Sequence, residues 1–163
     1  MRGFYYFDCK TKEFGLTMES TLVIIKPNGV KGGIIGEIIS RFEMARLSVS
    51  GLKAKSLTSQ EAEGFYAEHK ERGFFGELVG FMTSGPVILI ALSGEKAVEK
   101  VRTINGATNP TNASPGTIRH DFAPNTGENI VHSSDSAASA AREIAYWFEK
   151  TELVSYPAFS YLK

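Results

Sequence analysis

A chain of 163 residues, 42% hydrophobic and 22% charged, is long enough for one domain with a full core and too polar for a membrane-embedded one. Eighteen basic residues balance eighteen acidic ones, which excludes a general attraction to nucleic acid or to anionic lipid, so any anion site has to be built locally. The single cysteine, Cys9, excludes an internal disulfide framework and fits a reducing compartment, and no apolar run reaches the length of a membrane span.

Met1 to Leu16 mix aromatic and charged residues and lack the apolar stretch of a signal peptide, so the cytoplasm is the expected location. Residues 1–18 read as an N-terminal extension and 19–163 as the domain, with Met18 a candidate for the native start. Leu22 to Ile25 is a continuous apolar run, expected of a strand buried on both faces, and Pro27 ends it. Gly32-Gly33 opens a helix whose apolar residues Ile34, Ile35, Ile38, Ile39 and Phe42 share one face. Leu47 to Leu57 reads as a second strand. Thr58 or Ser59 can cap a helix through Glu61 to Lys70, with Ala62, Phe65 and Tyr66 inward, and Phe74 to Met82 a further short one. Gly85-Pro86 marks a turn, Val87 to Leu92 a third buried strand, and Glu95 to Arg102 a helix. Asn105 to Asn125 is rich in Gly, Pro, Asn, Thr and Ser, and a long ordered loop in a compact domain usually serves a site. Glu128 to Val131 is the fourth expected strand. Ala137, Ala140, Ala141, Ile144, Ala145 and Phe148 mark a last amphipathic helix, capped by Asp135.

Strand, helix, strand, helices, strand, helix, strand, helix is the split βαβ order. The expectation is an α/β (α+β) fold of ferredoxin-like βαββαβ type, its four-stranded antiparallel sheet covered by helices on one face. A doubly wound parallel sheet competes, but only four good strands are present.

The chemistry concentrates late in the chain. His132 ends a β-branched run and is followed by small polar residues, a junction that holds an imidazole stiffly yet open to a cleft, as a nucleophile or proton carrier needs. The phosphate-binding Walker loop and the dinucleotide fingerprint are both missing, and His69, His120 and His132 are too scattered to argue a metal site. Arg102 and Arg119, with a threonine of the same segment, lie on or beside the long loop, where guanidinium groups and a hydroxyl can surround phosphate oxygens. Lys26, just past the carboxyl end of the first strand, points to the crevice where ligands bind.

From about Ser20 to about Tyr156 the chain resembles the nucleoside diphosphate kinases. The lead motif is Asn129-x-x-His132-x-Ser134-Asp135, which resembles that family's signature around its phosphorylated histidine. Thr21-Leu22-Val23-Ile24-Ile25-Lys26-Pro27 is similar to the first strand and its lysine. Phe65-Tyr66, His69-Lys70-Glu71-Arg72 and Phe74-Phe75 resemble the helical hairpin over the base. Ser84-Gly85-Pro86-Val87, Thr108-Asn109-Pro110 and Pro115-Gly116-Thr117-Ile118-Arg119 resemble, in order, the approach to the third strand and the long loop.

The resemblance implies a ping-pong transfer. A nucleoside triphosphate gives its terminal phosphoryl group to His132, and the phosphohistidine passes it to a nucleoside diphosphate. It implies that Arg102, Thr108 and Arg119 bind phosphates, and that Lys26 touches the transferred group and a sugar hydroxyl. Asn129 would hold the sugar, Phe74 stack on the base, and Tyr66 lie near the histidine. Glu143 would orient the His132 ring, supported by Ser134. Magnesium would arrive on the substrate phosphates, with little direct protein ligation. No membrane and no nucleic acid is required, and the family's homo-oligomers, hexamers or tetramers, are both open. Two positions depart from the family's habit: Gly73 stands where proline is usual before the stacking phenylalanine, and Asn28 where aspartate is common. The second reading is a non-catalytic ferredoxin-like nucleotide sensor or binding module.

Overall fold

Two central strands with uninterrupted apolar runs dictate the architecture. The computed structural model describes residues 18–156 and 159; the expected extension, apart from Met18, lies outside these, as does Cys9. Strands β1 (Met18–Ile25), β2 (Ser48–Ser56), β3 (Pro86–Glu95) and β4 (Val131–Ser133) form one sheet in the order β2-β3-β1-β4, every neighbouring pair antiparallel. That is the ferredoxin-like order, and the parallel alternative falls with it.

Successive residues of β1 point to opposite sides. Val23 and Ile25 pack with Ile38, Phe42, Val101 and Ile118, whereas Leu22 and Ile24 pack with Ala62, Tyr66, Met82 and Trp147. The first group belongs to helices α2 (Ile35–Met44), α5 (Ala97–Asn105) and α6 (Ile118–Phe122). The second belongs to α3 (Ser59–Phe65) and its C-cap Tyr66, α4 (Phe75–Met82) and α7 (Ala137–Trp147). Helices therefore cover both faces, not one. The reason is physical: a strand apolar at every position leaves a bare face unless both sides are covered.

Other boundaries shift for local reasons. Pro27 ends β1 but also opens a short helix, α1 (Pro27–Lys31), because its fixed φ and missing N–H suit a first turn. Of the two expected caps, Thr58 and Ser59, it is Thr58 that serves, in a full capping box with Glu61, but α3 stops at Phe65 and a 3₁₀ turn covers Ala67–His69. Pro86, read as a turn, is the first residue of β3, where a proline is tolerated. The helix expected to start at Glu95 starts at Ala97, and β3 runs on to Glu95. The long loop contains a 3₁₀ turn at Pro110–Asn112 and the five-residue α6. The cap of α7 is Ser136, not Asp135: the Ser136 hydroxyl accepts the Ser139 N–H, while Asp135 accepts the Ser139 hydroxyl at 2.7 Å. No helix among the described residues is long and apolar enough to cross a membrane.

The fourth strand is Val131–Ser133, not Glu128–Val131. Ile130 adopts φ 71°, a left-handed conformation that a β-branched residue avoids. The Val131 N–H bonds the Asn129 carbonyl at 2.8 Å across it, making a tight γ-turn, so the ladder can begin only at Val131. Such a residue stores about 1–3 kcal/mol and persists only where its surroundings hold it. Here the Ile130 carbonyl accepts the Lys26 N–H at 2.8 Å and its side chain is buried against Gly29. The turn thus ties the end of β1 to the start of β4.

Candidate active site

His132 is the middle residue of β4 and pairs with Ile24 of β1. Paired residues share a face, so the imidazole lies over the Leu22–Ile24 side, beneath α3 and α7. Phe65 meets its ring edge-on at 5.3 Å between centroids, and Tyr66 at 5.8 Å. The ring is held from the helix side by Glu143. Ala140, Glu143 and Trp147 form the buried stripe of α7, and Glu143 Oε2 lies 3.0 Å from His132 Nε2. The same oxygen accepts the Ser134 hydroxyl at 2.7 Å, and Ser134 Oγ in turn accepts the Leu22 N–H at 3.3 Å. A carboxylate oxygen only accepts, so in the neutral ring the proton sits on Nε2 and Nδ1 keeps a free lone pair. The ring is oriented, its tautomer is set, and the site side of the imidazole is nucleophilic.

A cleft of about 1000 Å³ opens beside this ring. Lys26, Tyr66, Phe74, Arg102, Thr108, Arg119, Asn129, His132 and Glu143 all line it. Ser134 stands behind the wall, acting on Glu143. All ten residues singled out in the sequence are thereby brought to one place.

Their charges are arranged against their own solvation. Lys26 is buried, and its ammonium donates to Asn129 Oδ1 at 2.7 Å. Burial first, and the nearby Arg119 charge second, bring its pKa down to about 8. Asn129 passes the contact on, donating through Nδ2 to the Thr108 carbonyl at 3.2 Å. Arg119 donates to the carbonyls of Gly106 and Val131, both at 2.8 Å, and its Nε is buried without a partner among the described residues. Burial and the Arg102 charge lower its pKa to about 10. Burial, with the Glu143 charge adding to it, raises the Tyr66 hydroxyl above its ordinary value, and that hydroxyl also lacks a protein partner. Three cations held near one another in a half-dry cleft form an anion site.

The outer wall is aromatic. Phe74 is 51% exposed, which is unusual for so large an apolar ring and offers a flat stacking surface. His69 stands between Phe74 and Tyr66, its ring centre 5.8 Å from the first and 6.4 Å from the second. Nothing stands within 4 Å of where a side chain on Gly73 would begin.

Sequence reasoning missed Phe65 as a wall of the histidine. It also missed the carbonyls of Gly106 and Val131, which anchor Arg119. Backbone acceptors carry no signature in sequence. A signal for Phe65 does exist, since it directly precedes Tyr66 in an inward-facing helical turn.

Against known proteins, the model of the nucleoside diphosphate kinase family matches residues 19–153. The chain belongs to the nucleoside diphosphate kinase family. Solved structures agree. The kinase of Aquifex aeolicus, in an orthorhombic crystal form, is 41% identical, with a TM-score of 0.83 over 85% of this chain and 100% of that one. A nucleoside diphosphate kinase family protein of Babesia bovis is also 41% identical, TM-score 0.82, covering 85% of this chain and 94% of the other. A halophilic nucleoside diphosphate kinase of Halobacterium salinarum, solved in complex with CDP, is 40% identical, TM-score 0.84, covering 86% and 94%. The chain is accordingly a phosphotransferase of the nucleoside diphosphate kinase class, and the non-catalytic binding module is not favoured.

Proposed function

We propose that this nucleoside diphosphate kinase works through His132 Nδ1. The lone pair attacks the terminal phosphorus of a nucleoside triphosphate, the bond to the bridging oxygen breaks, and the electron pair leaves with the nucleoside diphosphate. A terminal oxygen of a second diphosphate then attacks the phosphohistidine and frees the ring. The single observation that carries this reading is the Ser134–Glu143–His132 chain: it leaves one ring nitrogen free, at the wall of a cationic cleft.

The roles of the other residues follow from charge and position. Phosphorylation at Nδ1 with the proton kept on Nε2 makes the ring cationic, and Glu143 stabilises that cation. Lys26, Arg102 and Arg119 balance the charge spread over the transferring group in a loose transition state, which mainly asks a protein to position and neutralise. Thr108 and Asn129 flank them, toward the phosphates and the sugar. Tyr66, buried beside the histidine, has an unpartnered hydroxyl that a phosphate oxygen would satisfy. Phe74 stacks on the base. A π-face is common to all bases, so the site is expected to accept many nucleotides.

The donor set fits magnesium carried by the substrate. Among the described residues no three His, Cys, Asp or Glu side chains gather to hold a metal, while the cleft's cations suit phosphate oxygens that can hold one themselves. When bound, magnesium would neutralise charge on the phosphate oxygens of the nucleotide. We further assign a cytoplasmic location, a homo-oligomeric assembly, and a domain from 19 to 163 preceded by an appendage.

The test is label transfer. Incubation with γ-labelled ATP and magnesium is expected to give an acid-labile, base-stable phosphoprotein that passes its label to added GDP. His132→Ala is expected to lose essentially all labelling while keeping fold and nucleotide binding. Uptake of label by His132→Ala would move the nucleophile elsewhere.

A further inference from the structure

We propose that Arg41, a residue of α2 that does not line the cleft, is a positioning residue for nucleotide binding and acts through Arg119. The inference rests on the reading of Arg119 as a phosphate ligand.

Arg119 rides on α6, which has five residues and no stability of its own at that length. Its guanidinium sits partly desolvated beside two other cations of the cleft, Lys26 and Arg102. Before a phosphate arrives, mutual repulsion and the pull of water both favour swinging Arg119 outward. Two backbone carbonyls hold the side chain itself, but they do nothing to fix the helix that carries it.

Ile118 seats the start of that helix in the core, and Arg41 ties down the rest. Its Nη1 donates to the Gly116 carbonyl at 3.1 Å and to Asp121 Oδ2 at 2.8 Å, and its Nε donates to Glu37 at 2.9 Å. Its guanidinium lies over the Phe122 ring, 5.0 Å from the centroid. Asp121 completes the closure: its other oxygen accepts the Gly116 N–H at 3.1 Å and lies 3.1 Å from His120 Nδ1. Gly116, at φ 86°, makes the sharp turn into α6. One cation therefore grips Gly116, two residues before α6, and two residues near its end, Asp121 and Phe122, with Arg119 between them. Lysine has neither the planar fork nor the ring-stacking face. The face of α2 that carries Ile38 and Phe42 is buried in the core, so the anchor itself is rigid.

The test is a double-mutant cycle on the full chain, with magnesium-ADP binding measured by calorimetry. Arg41→Met keeps an apolar stem over Phe122 and removes the fork. It is expected to weaken ADP binding about tenfold in the native background, and by less than about twofold once Arg119→Met is present. Asp121→Asn, which removes the charge that Arg41 meets while keeping the size, is expected to follow the same cycle and serves if Arg41→Met does not fold. An equal loss from Arg41→Met in both backgrounds overturns the inference and leaves Arg119 as a phosphate ligand. Unchanged ADP binding by Arg119→Met alone overturns both.

Discussion

Replacing Glu143 by glutamine separates the chemistry of the His132 ring from the stability of the fold. The side chain keeps its size and stays buried, yet its charge is gone. Attack on phosphorus turns the ring into a cation whose charge centre lies about 4 Å from the Glu143 carboxylate, given the 3.0 Å contact at Nε2. At an effective dielectric constant of about 20 that attraction is about 4 kcal/mol, or about a thousandfold in rate. A glutamine can also turn its amide N–H toward the ring, which would move the proton to Nδ1 and block the lone pair. We expect the first phosphorylation step to slow about 10²- to 10³-fold. Stability should not fall, because a buried carboxylate becomes a neutral amide that still accepts the Ser134 hydroxyl. The assay is rapid-quench labelling with γ-labelled ATP at saturating nucleotide, alongside a thermal melt. A rate within about threefold of the native protein, with an unchanged melt, would refute the argument that Glu143 stabilises the charged ring.

Four further outcomes are expected. Lys26, with a pKa of about 8 in the free protein, should regain a proton when phosphate oxygens arrive, so ADP binding should take up protons above pH 8 and weaken by up to about tenfold per unit there. Calorimetry at pH 8.5 in two buffers of different ionisation enthalpy reads this uptake, and zero uptake contradicts it. The sign for folding is opposite to that of an ion pair. The burial penalty on Lys26 is present in full below pH 8 and is relieved as pH rises toward 10.5, the value the exposed lysine has, so this residue's share of stability should grow over that window. Asn105 is fully buried with neither amide atom partnered among the described residues, so Asn105→Leu should stabilise the protein by about 1–3 kcal/mol in urea unfolding; a lower midpoint would mean the amide has a partner. Gly106 has φ 80° and ψ 177°, and an added Cβ would stand 2.5 Å from Thr117 Oγ1. Gly106→Ala should therefore cost about 1–3 kcal/mol and, by moving the carbonyl that holds Arg119, weaken ADP binding; equal stability and affinity would contradict it.

How far the sequence could be read depended on whether burial leaves a period. The run Leu22–Ile25 and the helical spacing of Ile35, Ile38 and Phe42 are consequences of packing, and both elements were legible. A cap at Thr58 or Ser59 was legible too, because capping is written in residue types; that Thr58 serves, boxed with Glu61, came from the fold. The five-residue helices α1 and α6 are too short for a period to appear. The extent of β4 was misjudged because Ile130 has every property of a strand residue except its φ, which tertiary bonds to Lys26 impose. That both faces carry helices was implicit in the unbroken apolar run of β1, but assigning each helix to a face takes the crossover geometry. At the site, residue types alone pointed to His132, Lys26 and the arginines of the long loop, and the resemblance to a known family was needed to name the rest of the ten side chains that converge. The carbonyls that anchor Arg119, and the edge-on contact of Phe65 with His132, exist only in three dimensions.

The imidazole we assign as the nucleophile stands on three residues of strand at the margin of the sheet, bonded to β1 alone. So short a ladder cannot hold a ring still by itself. Its stillness is borrowed from the carboxylate of α7 above and from the wound turn at Ile130 behind. Loosening either neighbour would let the nucleophile wander while most of the molecule stayed intact, so catalytic output should fade on warming well before the global transition.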